Sequence, residues 1–160
     1  MRNGKACLVG LVCGVLMLGL SSGAWAHCEI PCGIYDDAMR IEMLNEHLMT
    51  IEKSMRTIEE LSGKVETGGH EHKTGNMHQL VRWIDNKEEH ARKFQDIVWQ
   101  YFMTQRIEPG EKSYERKVQL LHEMLYYAMR CKQTTDTGHV KKLMSLVQEF
   151  EKLYFQDRGE

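Results

Sequence analysis

Residues 41–61 read IEMLNEHLMTIEKSMRTIEEL. Apolar side chains fall at Ile41, Leu44, Leu48, Ile51, Met55 and Ile58, with Leu61 as a last step before Gly63. These alternating three- and four-residue steps trace one face of an α-helix, which turns once in about 3.6 residues. Glu42, Glu46, Glu52, Lys53 and Arg56 occupy the polar face. Outward from this segment the same period returns three times. Leu80, Ile84, Lys87, Ala91, Phe94, Val98 and Tyr101 form a second stripe, interrupted by its lysine. Tyr114, Val118, Leu121, Leu125 and Ala128 form a third. Val140, Leu143 or Met144, Val147, Phe150 and Tyr154 form a fourth. No strand alternation runs beyond a few residues, and no glycine-rich phosphate loop is present.

The breaks between stripes set the topology. Glu108-Pro109-Gly110 and Thr134-Thr135-Asp136-Thr137-Gly138 read as turns. The stretch Gly63 to Gly75 holds four glycines and no apolar period, so it reads as a loop. Asn76 with Gln79 three residues on resembles a capping box that opens the second helix. Short connections at 107–112 and 133–138 favour antiparallel neighbours. The expected fold is all-α: an up-down-up-down four-helix bundle with a non-helical N-terminal metal-binding hook.

The first 26 residues stand apart. Arg2 and Lys5 make a positive head, and no charged residue occurs from Ala6 to Ala26. An apolar run ends at Ser21-Ser22-Gly23, and Ala24-Trp25-Ala26 supplies the small residues of a cleavage site. Residues 1–26 therefore read as a secretory signal peptide cut after Ala26, with an uncleaved membrane anchor as the weaker reading. Export to the periplasm or the outside follows, with no stable membrane contact after cleavage.

Cleavage changes the charge and cysteine counts. It takes two of the 21 basic residues and none of the 23 acidic ones, so the net charge moves from −2 to −4. Neither value suits a binder that neutralises nucleic-acid phosphates. Cys7 and Cys13 leave with the signal, and of 5 cysteines Cys28, Cys32 and Cys131 remain. Cys131 lies beside the third stripe and reads as a buried free thiol.

The new N-terminus would begin His27-Cys28-Glu29-Ile30-Pro31-Cys32-Gly33-Ile34-Tyr35. A free amine, an imidazole and two thiols then lie within six residues. The amine and the Cys28 amide nitrogen close a five-membered chelate ring, and that amide with the Cys28 sulfur closes another. The His27 imidazole reaches the same ion through Nδ1. Cys32 adds a second sulfur if the chain curls, which Pro31 and Gly33 favour. Two nitrogens and two sulfurs in a plane, with an axial imidazole, suit Ni(II) or Cu(II), whereas zinc prefers a tetrahedron. Anionic amide and thiolate donors stabilise the higher oxidation state and so lower the redox potential of the ion.

His27-Cys28-x-x-Pro31-Cys32-Gly33-x-Tyr35 behind a cleavage site resembles the hook motif of nickel superoxide dismutases. The resemblance extends over residues 27–160. It implies disproportionation of superoxide to oxygen and hydrogen peroxide, with nickel alternating between +2 and +3. It also implies a homohexamer with one nickel per subunit. The implied metal ligands are His27 (amine and imidazole), Cys28 (amide and thiolate) and Cys32 (thiolate). Pro31 matches a cis proline, and Tyr35 a tyrosine lining the approach to the metal. With one residue of slippage, Tyr101 matches a second pocket tyrosine and Glu42 the glutamate that orients the axial imidazole. Lys87 falls where the family has an arginine supporting that imidazole. An interrupting lysine in an apolar stripe needs a partner, and a carboxylate is expected, Glu42 first. Glu29 and Asp37 stand where aspartate and proline are common.

Other readings compete. Cys28 and Cys32 could form a structural disulfide, which is also the expected fate of the metal-free thiols in an oxidising compartment. The remaining methionines and histidines motivate an exported helical carrier of copper or nickel without turnover. His70-Glu71-His72 reads as solvated loop, and His78 and His90 as surface or satisfied histidines. His47, His122 and His139 have no evident partner. A c-type cytochrome is excluded by the lack of Cys-x-x-Cys-His.

Overall fold

The computed structural model describes residues 35–67 and 70–159. The expected signal peptide, and the hook residues His27, Cys28, Pro31 and Cys32, lie outside the described residues. Four helical rods form: α1 (Asp37–Thr67), α2 (His70–Asp96, continued by a π-helix over Ile97–Arg106), α3 (Tyr114–Gln133) and α4 (Thr137–Arg158). No strand occurs among the described residues. Each rod packs on the next, and α1 also packs on α4, closing a four-helix ring. The start of α1 meets the ends of α2 and α4, so the order is up-down-up-down. None of these helices is long and apolar enough to cross a membrane.

The first stripe is the core face of α1, with Leu44, Leu48, Ile51 and Met55 fully buried. On α4 the buried set is Val140, Leu143, Leu146, Val147, Phe150 and Tyr154. Cys131 is buried and free, as its place beside the third stripe implied. Burial pushes its thiol up to about 12, although the nearby Lys87 charge acts the other way. It is therefore an inert packing group. Phe102 packs edge-on against both Phe150 and Tyr154 and joins α2 to α4. Among the turns, Gly110 takes φ +87° just after Pro109, a conformation that suits a residue without Cβ.

Three expectations change. The stretch from Gly63 to Gly75 is not a loop: α1 runs through Gly63 to Thr67, and α2 starts at His70. Glycine costs a helix about 1 kcal/mol relative to alanine, which lowers helicity without forbidding it. The Thr67 hydroxyl, which donates to the Gly63 carbonyl at 2.9 Å, and the Lys64–Glu60 pair at 2.5 Å support the helix on either side of Gly63. Asn76 is consequently inside α2 and caps nothing. The second stripe is also shorter than it looked, because Ile84 is 38% exposed. At about 1.5 Å per residue, α1 is roughly 46 Å long and α3 roughly 30 Å. The first hairpin therefore overhangs the second, and residues before Lys87 have no α3 to cover them.

Lys87 marks where that cover begins. It is 4% exposed. Its Nζ donates to the carbonyls of Cys131 at 2.8 Å, Lys132 at 2.5 Å and Thr134 at 3.4 Å. These are carbonyls at the C-terminal end of α3, where a helix leaves acceptors unfilled and its dipole is negative. The carboxylate beside it is that of Glu88 at 3.2 Å, not the expected Glu42. Glu42 is exposed on α1. A lysine suits this place because it fans three donors over several carbonyls. Lys87→Met is expected to cost about 2 kcal/mol by leaving those carbonyls unfilled. That should lower the melting temperature by roughly 5–10 °C, as thermal denaturation would show. Loss of dismutation at an unchanged melting temperature would instead place Lys87 in the reaction.

Candidate metal centre

The arm that precedes the bundle in sequence runs directly into the first turn of α1. Asp36 caps that turn, accepting from the Met39 amide at 2.9 Å. This fills one of the donors that a helix start leaves open. Asp37 follows, and its side chain is only 9% exposed. Tyr101 donates to it at 2.5 Å and Tyr154 at 2.8 Å. Arg106 forks onto both carboxylate oxygens, Nη2 at 2.7 Å and Nε at 2.9 Å. Arg158 closes the set at 3.4 Å. One carboxylate thus ties the start of α1 to the ends of α2 and α4. Two cationic stacks reinforce it, Arg40 over the Tyr101 ring and Arg158 over the Tyr154 ring.

The π-helix explains how Tyr101 and Arg106 reach the same partner. In an α-helix, residues five apart point about 140° away from each other. A π-helix bonds each residue to the fifth, so positions five apart share a face. The side chains repeat the spacing, with Thr104 donating to the Trp99 carbonyl and Gln105 to that of Gln100. Tyr101 and Arg106 are such a pair, and both point at Asp37.

The cluster sets the protonation of its members. Burial would raise the Asp37 carboxyl, but hydrogen bonds from Arg106, Tyr101 and Tyr154 and the Arg106 charge outweigh it and hold it below the usual carboxylate range. Burial, with the hydrogen bond to Asp37 and its negative charge, pushes the Tyr101 phenol up to about 12. The same causes raise Tyr154. At neutral pH the centre is therefore a charged carboxylate held by two neutral phenols and two guanidinium groups.

Of the predicted site residues, Tyr35 is 43% exposed and two positions before Asp37. Tyr101 is buried in the cluster. Glu42 lies farther along α1 and exposed. Lys87 lies fourteen residues before Tyr101, about 21 Å along the helix, and takes no part in the cluster. Among the described residues no group of three or more His, Cys, Asp or Glu side chains could hold a metal. The donors that fit one, on their chemistry, are those of His27, Cys28 and Cys32.

The profile of the family described as nickel-containing superoxide dismutase matches residues 22–158. The chain belongs to that family. Its reaction is the disproportionation of superoxide, and its cofactor is nickel. It is also similar to a protein of Streptomyces seoulensis named superoxide dismutase [Ni], with 24% identity over 135 residues, 83% of this chain and 88% of the relative. No solved structure matches it. In this dismutase, sequence reading missed the cluster that Asp37, Arg106 and Tyr154 form with Tyr101. Tyr154 looked like one more core position. Arg106 fell off the α-helical stripe, and only the π-turn brings it back. The available signal was Asp37 itself, a carboxylate where proline is common.

Proposed function

We propose that this dismutase holds nickel in a hook created by cleavage after Ala26. The new His27 amine and imidazole, the Cys28 amide and thiolate, and the Cys32 thiolate are its ligands. The observation that carries this reading is the motif itself, standing behind a cleavage site in a chain of this family. Bound there, nickel supplies one-electron chemistry by alternating between +2 and +3. The protein residues do the rest. Tyr35 and Tyr101 line the approach and order water for proton delivery. Tyr101 keeps its own proton, since its phenol titrates far above neutral pH and is fixed on Asp37. It therefore positions rather than ionises. Glu42 orients the His27 imidazole.

The same resemblance supports a homohexamer. Met77, Val81 and Ile84 lie at helical spacing on the overhang of α2, and all are at least 38% exposed. Such a row favours burial against another surface. The positive head, the uncharged run from Ala6 to Ala26 and the Ala24-Trp25-Ala26 site support export to the periplasm or outside. Membership of an enzyme family disfavours a carrier without turnover. Mass spectrometry of protein from its own host tests the reading. It should find His27 as the first residue and one nickel per chain. Any other first residue removes the amine ligand and sinks the hook.

A further inference from the structure

His47 on α1 and His90 on α2 face one another across the first hairpin. Their Nδ1 atoms are hydrogen-bonded to one another at 3.1 Å, one ring donating and the other accepting, and the rings meet edge to face at 5.0 Å between centroids. Both are partly buried. His47 is ten residues along α1 from Asp37, about 15 Å, so this pair is separate from the Asp37 cluster. We propose that His47 and His90 form a second metal site, which takes one exchangeable divalent transition-metal ion through the two Nδ1 atoms.

The geometry suits that chemistry. Metal–imidazole bonds to zinc are about 2.0–2.1 Å long, so donors 3.1 Å apart subtend about 98° at the ion. That lies between octahedral and tetrahedral angles. The rings come from two packed helices, which gives the pair the fixed frame that a loop lacks. Partial exposure leaves room for water to complete the coordination.

The surroundings keep the rings neutral, and the proton held between the two Nδ1 atoms moves to Nε2 of its ring when a metal takes both Nδ1 atoms. Metal takes neutral imidazole. Burial, the facing His90 and Lys93 hold the His47 ring below its ordinary value, with Glu46 acting the other way. Burial and Lys93 do the same to His90 against Glu89. Lys93 is itself paired with Glu89 at 2.7 Å, which tempers its repulsion of a cation. No third His, Cys, Asp or Glu joins the pair among the described residues, so the site is a two-ligand one, open to exchange.

The test is calorimetric titration of Zn(II) into the nickel-loaded chain. One zinc per chain is expected beyond the nickel. His47→Ala and His90→Ala should each weaken it by at least about tenfold, with nickel content and dismutation unchanged. On the unaltered protein, ¹⁵N spectra of labelled histidine should show both rings shifting together with zinc. This reading needs no folded variant. No zinc uptake by the unaltered chain would overturn the proposal. So would uptake that persists in the double variant, or zinc-induced shifts confined to other histidines.

Discussion

Inserting one alanine between Ala26 and His27 should lower dismutation by at least about a hundredfold while leaving the helical circular dichroism unchanged. The added residue turns the His27 amine into an amide, which can bind a metal only after losing its proton and so no longer offers the neutral amine donor. It also moves the imidazole off the terminal residue, so the six-membered chelate ring with the amine is lost. Misplacement of reacting groups by even about 1 Å can cost about a hundredfold. The bundle begins ten residues later, at Asp37, and the described core is built from Ile41 to Tyr154. Stability should therefore be untouched. The measurement is superoxide turnover beside the far-ultraviolet spectrum, with mass spectrometry confirming alanine at the new terminus. Retained turnover on that terminus would show that the amine is no ligand.

Asp37→Ala has the largest expected effect on the bundle itself. It leaves two guanidinium groups and two phenols without their shared acceptor. Breaking a buried ion pair on one side costs about 3–5 kcal/mol, and Asp37 is near the lower end because Arg158 is partly exposed. A loss of about 3 kcal/mol should lower the melting temperature by roughly 10 °C. The pH dependence identifies the cause. The Asp37 carboxyl is lowered in the folded protein, so its contribution is present above the unfolded value of about 3.9 and is lost as pH falls through the folded value. The gap between the parent and Asp37→Ala should be full at neutral pH and should narrow below about pH 4. A gap independent of pH would mean that lost packing, not charge, is responsible. The Tyr101 phenol should also fall from about 12 toward its ordinary range, visible in its ultraviolet titration.

How far the sequence could be read depended on which interactions are local. The four apolar stripes are local, and the helices followed them closely. The 63–75 stretch misled because glycine is a weak signal against helix when its neighbours are good helix formers. Lys87 was rightly singled out as a buried charge in need of partners. The partners were backbone carbonyls 44 to 47 residues away, which no side-chain pattern records. His47 and His90 were likewise invisible as a pair, being 43 residues apart on different helices. At the candidate centre the hook was legible because all of its donors are neighbours in the chain. The Asp37 cluster was not, because it gathers partners from two other helices, one of them through a π-turn.

The Asp37 cluster has a kinetic side. Its bonds join residues separated by 64, 69, 117 and 121 positions. Closing such long loops costs more chain entropy than zipping either helical hairpin. The expected order is that the two hairpins form first and the carboxylate knot ties afterwards. Contacts made after the folding barrier govern how fast a protein comes apart rather than how fast it assembles. Asp37 then works as a latch on the unfolding rate, at the end of the bundle from which the arm departs. The carboxylate knot would be the last part built and the first to open.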